Sequence, residues 1–123
     1  ERESVWGDDI WFKTPDGREV IGNQIQVADV FLRPGQKPLG ELVYGRGNNG
    51  GTDEGARTGN VLFTSCLGPL VTKNPEFAAD ILKRAAEDAG IRVNGILRPE
   101  DVEIERKSAE YIKSFMRGKM KRE

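Results

Sequence analysis

The chain has no histidine and only one cysteine, Cys66, in 123 residues. The first absence removes the side chain that most often serves as general base or metal ligand near neutral pH. The second excludes an internal disulfide and makes a reducing, cytoplasmic setting the expectation. No charge of one sign dominates: 19 Lys and Arg face 20 Asp and Glu, for a net charge of −1. There is thus no overall field to mark a nucleic-acid or membrane protein. No apolar run approaches the roughly 20 residues that span a bilayer, so no membrane partner is expected. The first residues, Glu1-Arg2-Glu3-Ser4, carry neither a signal peptide nor an initiator Met. The chain therefore reads as trimmed, or as the later part of a longer protein, with a frayed start.

What remains suits one folded core rather than two, since 37% of the residues are apolar. Residues 9–13 and 18–21 read as strands flanking a Pro15- and Gly17-bearing turn. Residues 24–32 alternate as a further strand, with Ile25, Val27 and Phe31 on one face. A loop at 33–38 leads to a strand at 39–44. Residues 47–59, rich in glycine, form a long surface loop. Val61-Leu62-Phe63 is short and wholly apolar, the pattern of a strand buried on both faces.

Asn74-Pro75-Glu76 starts a helix, with Asn as N-cap and Pro at the first helical position. Phe77, Ala78, Ile81, Leu82, Ala85 and Ala89 line its apolar face, and Gly90 closes it. A second helix starts at Pro99-Glu100-Asp101, carries a stripe of Ile104, Ser108, Tyr111, Ile112, Phe115 and Met116, and stops at Gly118. The expected fold is α/β or α+β: a sheet of about five strands, one packed helix and a C-terminal helix. Residues 1–91 hold the sheet and first helix, and 92–123 the final helix and charged tail.

Thr64-Ser65-Cys66-Leu67-Gly68-Pro69-Leu70 and Lys73-Asn74-Pro75-Glu76 resemble the Thr-Tyr-x-His-Gly-Pro…Asn-Pro stretch of class I glutamine amidotransferase-like domains. The nearest branch is that of cobyric acid synthase and the glutaminase subunit of lipid II isoglutaminyl synthase. Upstream, Pro38-Leu39-Gly40, Tyr44-Gly45-Arg46-Gly47-Asn48-Asn49-Gly50, Asp53 and Glu54-Gly55 resemble that subunit's Pro-Leu-Gly…Gly-x-Gly-Asn-Asn-Gly…Glu-Gly pattern. The likeness runs from about Gly7 to Gly90. It implies the later portion of such a domain, in a complex that supplies ammonia to a Mur-ligase-like synthetase. The residue at Leu67 is the family's activating histidine, and Gln24, after Asn23, stands where a second histidine is found. The resemblance thus implies the fold without the usual chemistry, the reacting cysteine lying in another segment or chain.

Each conspicuous group also has a plainer reading. A Cys–His glutaminase needs a thiolate, a base and oxyanion donors, and Cys66 has no histidine and no Gly-x-Cys-x-Gly elbow. It reads as a small buried or loop residue. Gly47, Asn48, Asn49 and Gly50 are the candidate functional loop. Without a Lys-Ser/Thr ending, and with Asp53 and Glu54 close by, they suit a sharply turning loop better than a phosphate cradle. Asp8, Asp9, Asp53 and Glu54 have no spacing that makes oxygens converge on a cation, so no metal is expected, and no cofactor. Trp6 and Trp11 are either a ligand platform or core.

Tyr111, Ile112, Phe115 and Met116 are the candidate interface, for a second copy of the chain or for the synthetase. Arg117, Lys119, Lys121 and Arg122 form a basic tail, for which a solvated end is favoured over nucleic-acid binding. The function expected is an amidotransferase-like domain or fragment, inactive alone, within an amide-forming complex. The alternatives are a non-catalytic scaffold module and, behind it, a nucleic-acid binder.

Overall fold

The computed structural model describes residues 5–122; the expected fraying of residues 1–4 and the last residue of the charged tail lie outside them. Strand β1 (Trp6–Lys13) turns at Thr14-Pro15-Asp16-Gly17 into β2 (Glu19–Gln26). The two pair antiparallel along their whole length, from Trp6 opposite Gln26 to Lys13 opposite Glu19. Gly17 takes φ +84°, the left-handed conformation that this turn requires of it. The next strands are β3 (Gly40–Tyr44) and β4 (Asp53–Glu54), then β5 (Ala56–Thr58), β6 (Val61–Phe63) and β7 (Cys66–Gly68). One antiparallel sheet has the order β4-β3-β1-β2-β7, and β5 and β6 form a separate hairpin. The helices are α1 (Leu70–Lys73), α2 (Pro75–Asp88) and α3 (Glu103–Met120). The mixed α/β architecture, with a five-stranded sheet, a packed helix and a C-terminal helix, is the one expected.

The central strand β1 is covered on both sides. Ile10 and Phe12 face α2, packing with Val20, Leu39, Cys66 and Phe77, and with Ile81 at the margin. Trp11 points the other way, into a second cluster with Ile21, Tyr44 and Met116 that Ala109 and Ile112 complete. This follows from the two-residue period of a strand. Burial of each such side chain contributes about 1.5–3 kcal/mol. Lys113 secures α3: its buried ammonium donates to Glu19 and, at 2.8 Å, to Glu110. The Arg117 guanidinium lies 5.0 Å from the Trp11 ring centre, the geometry of a cation–π contact.

Several local expectations are corrected by this packing. Residues 19–21 and 24–26 belong to one strand, β2, which begins at Glu19 and ends at Gln26, so no strand continues to residue 32. Ile25, Val27 and Phe31 are exposed: Ile25 is on the face of β2 opposite the buried Gln24 and Gln26, and Val27 and Phe31 lie beyond the strand. Val61-Leu62-Phe63 is not a doubly buried strand. It pairs with β5 alone, and Val61 and Phe63 are 71% and 45% exposed. The segment 47–59 is not wholly a surface loop, since it holds a 3₁₀ turn at Asn48–Gly50, β4, β5 and the buried side chains of Asn48 and Glu54.

In α2, Phe77 is buried and Ile81 packs beside it, but Leu82 is 59% exposed. In α3, Ile104 is exposed, Val102 just ahead of the helix is buried instead, and Gly118 lies inside the helix rather than ending it. Pro75 opens α2 and Gly90 follows its end at φ +72°, both as the sequence indicates. Asn74 precedes Pro75, but its side chain does not cap the helix.

Candidate functional site

Two glutamines on the inner face of β2 anchor the loop that follows β3. The Gln24 amide accepts from the Arg46 N–H at 2.9 Å and donates back to the Arg46 carbonyl. Gln26 donates to that carbonyl at 3.0 Å and to Ser65 Oγ at 3.2 Å. Both glutamines are buried, and alternation places them on one face. The Arg46 guanidinium lies 5.9 Å from the Trp6 ring centre and 4.0 Å from the Asp29 carboxylate.

The Gly47–Gly50 segment is folded on itself. Gly47 N–H donates to Gly51 O, Gly50 N–H to Gly47 O and Gly51 N–H to Asn48 O, so these three amides point into the loop. Asn49 takes φ 49°, which asparagine tolerates better than most residues. A Cβ at Gly47 would lie 2.3 Å from Asp53 O, which explains a glycine there. Asn48 is buried and bonds both backbone groups of Gly55, donating at 2.7 Å and accepting at 3.1 Å.

Beneath this loop lies Glu54, fully buried. One carboxylate oxygen accepts from Thr64 Oγ1 and from Ser65 N–H, both at 2.7 Å. The other has no hydrogen-bond partner among the described residues. Burial pushes this carboxyl's pKa up, against the lowering effect of the Thr64 and backbone bonds. Thr64 Oγ1 in turn accepts from Cys66 N–H at 3.0 Å. Cys66 is buried, and burial together with the nearby Glu54 charge pushes its thiol up to about 12. Its sulfur lies against Gly22, where a Cβ would approach to 2.5 Å.

The sequence-selected residues therefore divide. Gln24, Asn48, Glu54 and Cys66 meet in one buried polar strip, while Leu67 projects outward from the edge strand β7 and is 63% exposed. Asn23 is on the other face of β2, donating to Asp9 at 3.1 Å. It borders a recess of about 180 Å³ with Pro69, Lys73, Tyr111 and Phe115. The α3 stripe is split: Met116 is fully buried and Ile112 packs inward, whereas Tyr111 and Phe115 are 80% and 58% exposed. Trp11 is core and Trp6 lies at the rim.

Asp8 and Asp9 hold Lys119, at 2.6 Å and 3.2 Å, which ties one of the tail cations to β1. Burial opposes charge on Asp8, but the Lys119 and Tyr44 hydrogen bonds win and lower its pKa. No grouping of three or more Cys, Asp or Glu suited to a metal ion occurs among the described residues. Nor is any helix among them long and apolar enough to cross a membrane. Gln26, Arg46 and Thr64 were not singled out from the sequence; the signal was two polar residues, Gln24 and Gln26, spaced for the same face of an apolar strand.

No family model matches the chain, and no curated protein matches it.

Proposed function

We propose that the chain is a glutamine amidotransferase-like module that does not cleave glutamine by itself and acts as a protein-binding part of an amide-forming synthetase complex. The observation that carries this reading is the contrast at β7. Cys66 is enclosed and its thiol is held neutral, while the neighbouring Leu67, at the family's histidine position, faces solvent. Leu67 lies on the edge strand β7, which offers unpaired backbone groups, and Ile25 of the neighbouring β2 is 53% exposed. Tyr111 and Phe115 add apolar surface around Asn23 and Pro69. A partner here is a Mur-ligase-like synthetase or a second copy of the chain.

The test is size-exclusion chromatography and sedimentation of the chain alone and mixed with a Mur-ligase-like synthetase from the same source. Association that is lost in Leu67→Asp supports the proposal. A chain that stays monomeric in both settings sinks it. So does ammonia release from glutamine that vanishes in Cys66→Ala.

A further inference from the structure

A second cavity lies away from the β7 surface, between α2 and the β5–β6 hairpin. Its volume is about 190 Å³. Leu39, Leu62, Phe77 and Ile81 give it an apolar lining. Two polar clasps bound it. At one end Arg18 reaches from the β1–β2 turn to Asp80 of α2 at 2.9 Å. At the other end Asn60, in the hairpin turn, donates to Asp88 of α2. Asp80 and Asp88 are two helical turns apart, so the clasps stand about 12 Å from one another along α2.

The charges lining this cleft are unevenly matched. Asp80 is held by Arg18 and also by Arg84 at 2.7 Å, and Asp16 lies 3.3 Å from Arg18. Two charges are not neutralised there: Asp88 meets only the Asn60 amide, and the Arg57 guanidinium has no carboxylate or other polar partner among the described residues. Arg57 stands directly opposite Leu62 in the hairpin register, on the same face, and it is half-buried. An unpaired guanidinium at the border of a recess floored by apolar side chains favours a ligand that brings one carboxylate and a compact apolar body. Size agrees, since a cavity of about 150 Å³ accommodates benzene.

We infer that this cleft binds a small aromatic or branched aliphatic monocarboxylate, with Arg57 receiving the carboxylate and Leu62, Phe77 and Ile81 the apolar part. The site is independent of the β7 surface and of any glutaminase chemistry. Arginine suits this role because its fork pairs with both carboxylate oxygens.

Phenylacetate serves as the probe, with phenylacetamide and phenethylamine as its neutral and cationic counterparts. Titrations followed by amide NMR should show saturable shifts at Leu62 and Ile81 for phenylacetate up to about 10 mM, in the range set by so few ligand atoms. Phenylacetamide should bind at least about tenfold more weakly, and Arg57→Gln should weaken phenylacetate by a similar factor. Equal binding of acid and amide, tighter binding of the amine, or no shift at the cleft over that range would each overturn the inference. If Arg57→Gln does not fold, the comparison of the three ligands on the wild-type chain decides alone.

Discussion

Cys66 sits close enough to Glu54 for the carboxylate charge to oppose ionisation of its thiol, and burial opposes it more strongly still. A thiol pushed up to about 12 holds almost no thiolate near neutral pH, and the thiolate is the reactive form. Iodoacetamide should therefore alkylate Cys66 at least about 100-fold more slowly in the folded chain than in urea, through transient opening. Peptide mapping over time checks this. Glu54 makes a pH prediction. Its folded pKa is raised, so folding favours the protonated carboxyl. The stability it allows is greatest below the usual carboxylate value and declines as pH rises from there through the raised folded pKa. Glu54→Gln keeps an acceptor for Thr64 and Ser65 and removes the charge, so its stability should change less with pH across that window. Urea titrations from about pH 4 to pH 7 would show the difference in slope. Parallel curves for the two proteins would exclude Glu54 as the cause.

Among the elements, α2 shows what local pattern reveals and what it leaves open. Its start at Pro75, its close at Gly90 and the inward side of Phe77 and Ile81 were legible, since they rest on proline at the first helical position, glycine just past the last turn and helical period. Leu82 was not, because it lies about 140° round the helix from Phe77. Apolar spacing cannot say where the covered arc stops. Phe77→Ala should accordingly cost about 3–5 kcal/mol, whereas Leu82→Ala should stay within about 0.5 kcal/mol, both by denaturant melts. Asn74 illustrates a contact that no local reading reaches. Its side chain accepts from Ile21 N–H and donates to Ile21 O, each at 2.8 Å, across 53 residues of chain. The amide stands in for a strand neighbour beyond the end of β7. The candidate site was readable to a similar degree. The Gly-Asn-Asn-Gly loop and the absence of histidine are visible in the letters, but the inward turn of the loop amides and the isolation of Arg57 depend on distant partners.

For the whole molecule, the final helix is part of the fold's second core. Trp11, Ile21 and Tyr44 on the sheet are buried together with Met116, Ile112 and Ala109 of α3. A chain ended after residue 98 should lose cooperative thermal unfolding and bind a hydrophobic dye, as expected when a core layer is removed. A sharp melt at nearly the original temperature would instead show that residues up to 98 fold alone. The double coverage of β1 also governs how the gene tolerates editing. Inserting or deleting one codon within β1 would turn Trp11 toward the α2 side and Ile10 and Phe12 toward α3, exchanging the contents of two cores built for different shapes. A codon added in the segment between β2 and β3 meets no such constraint, because lengthening a flexible connection costs little. Length variation in this gene should therefore collect outside β1, which acts as the fixed reading frame of the three-dimensional structure.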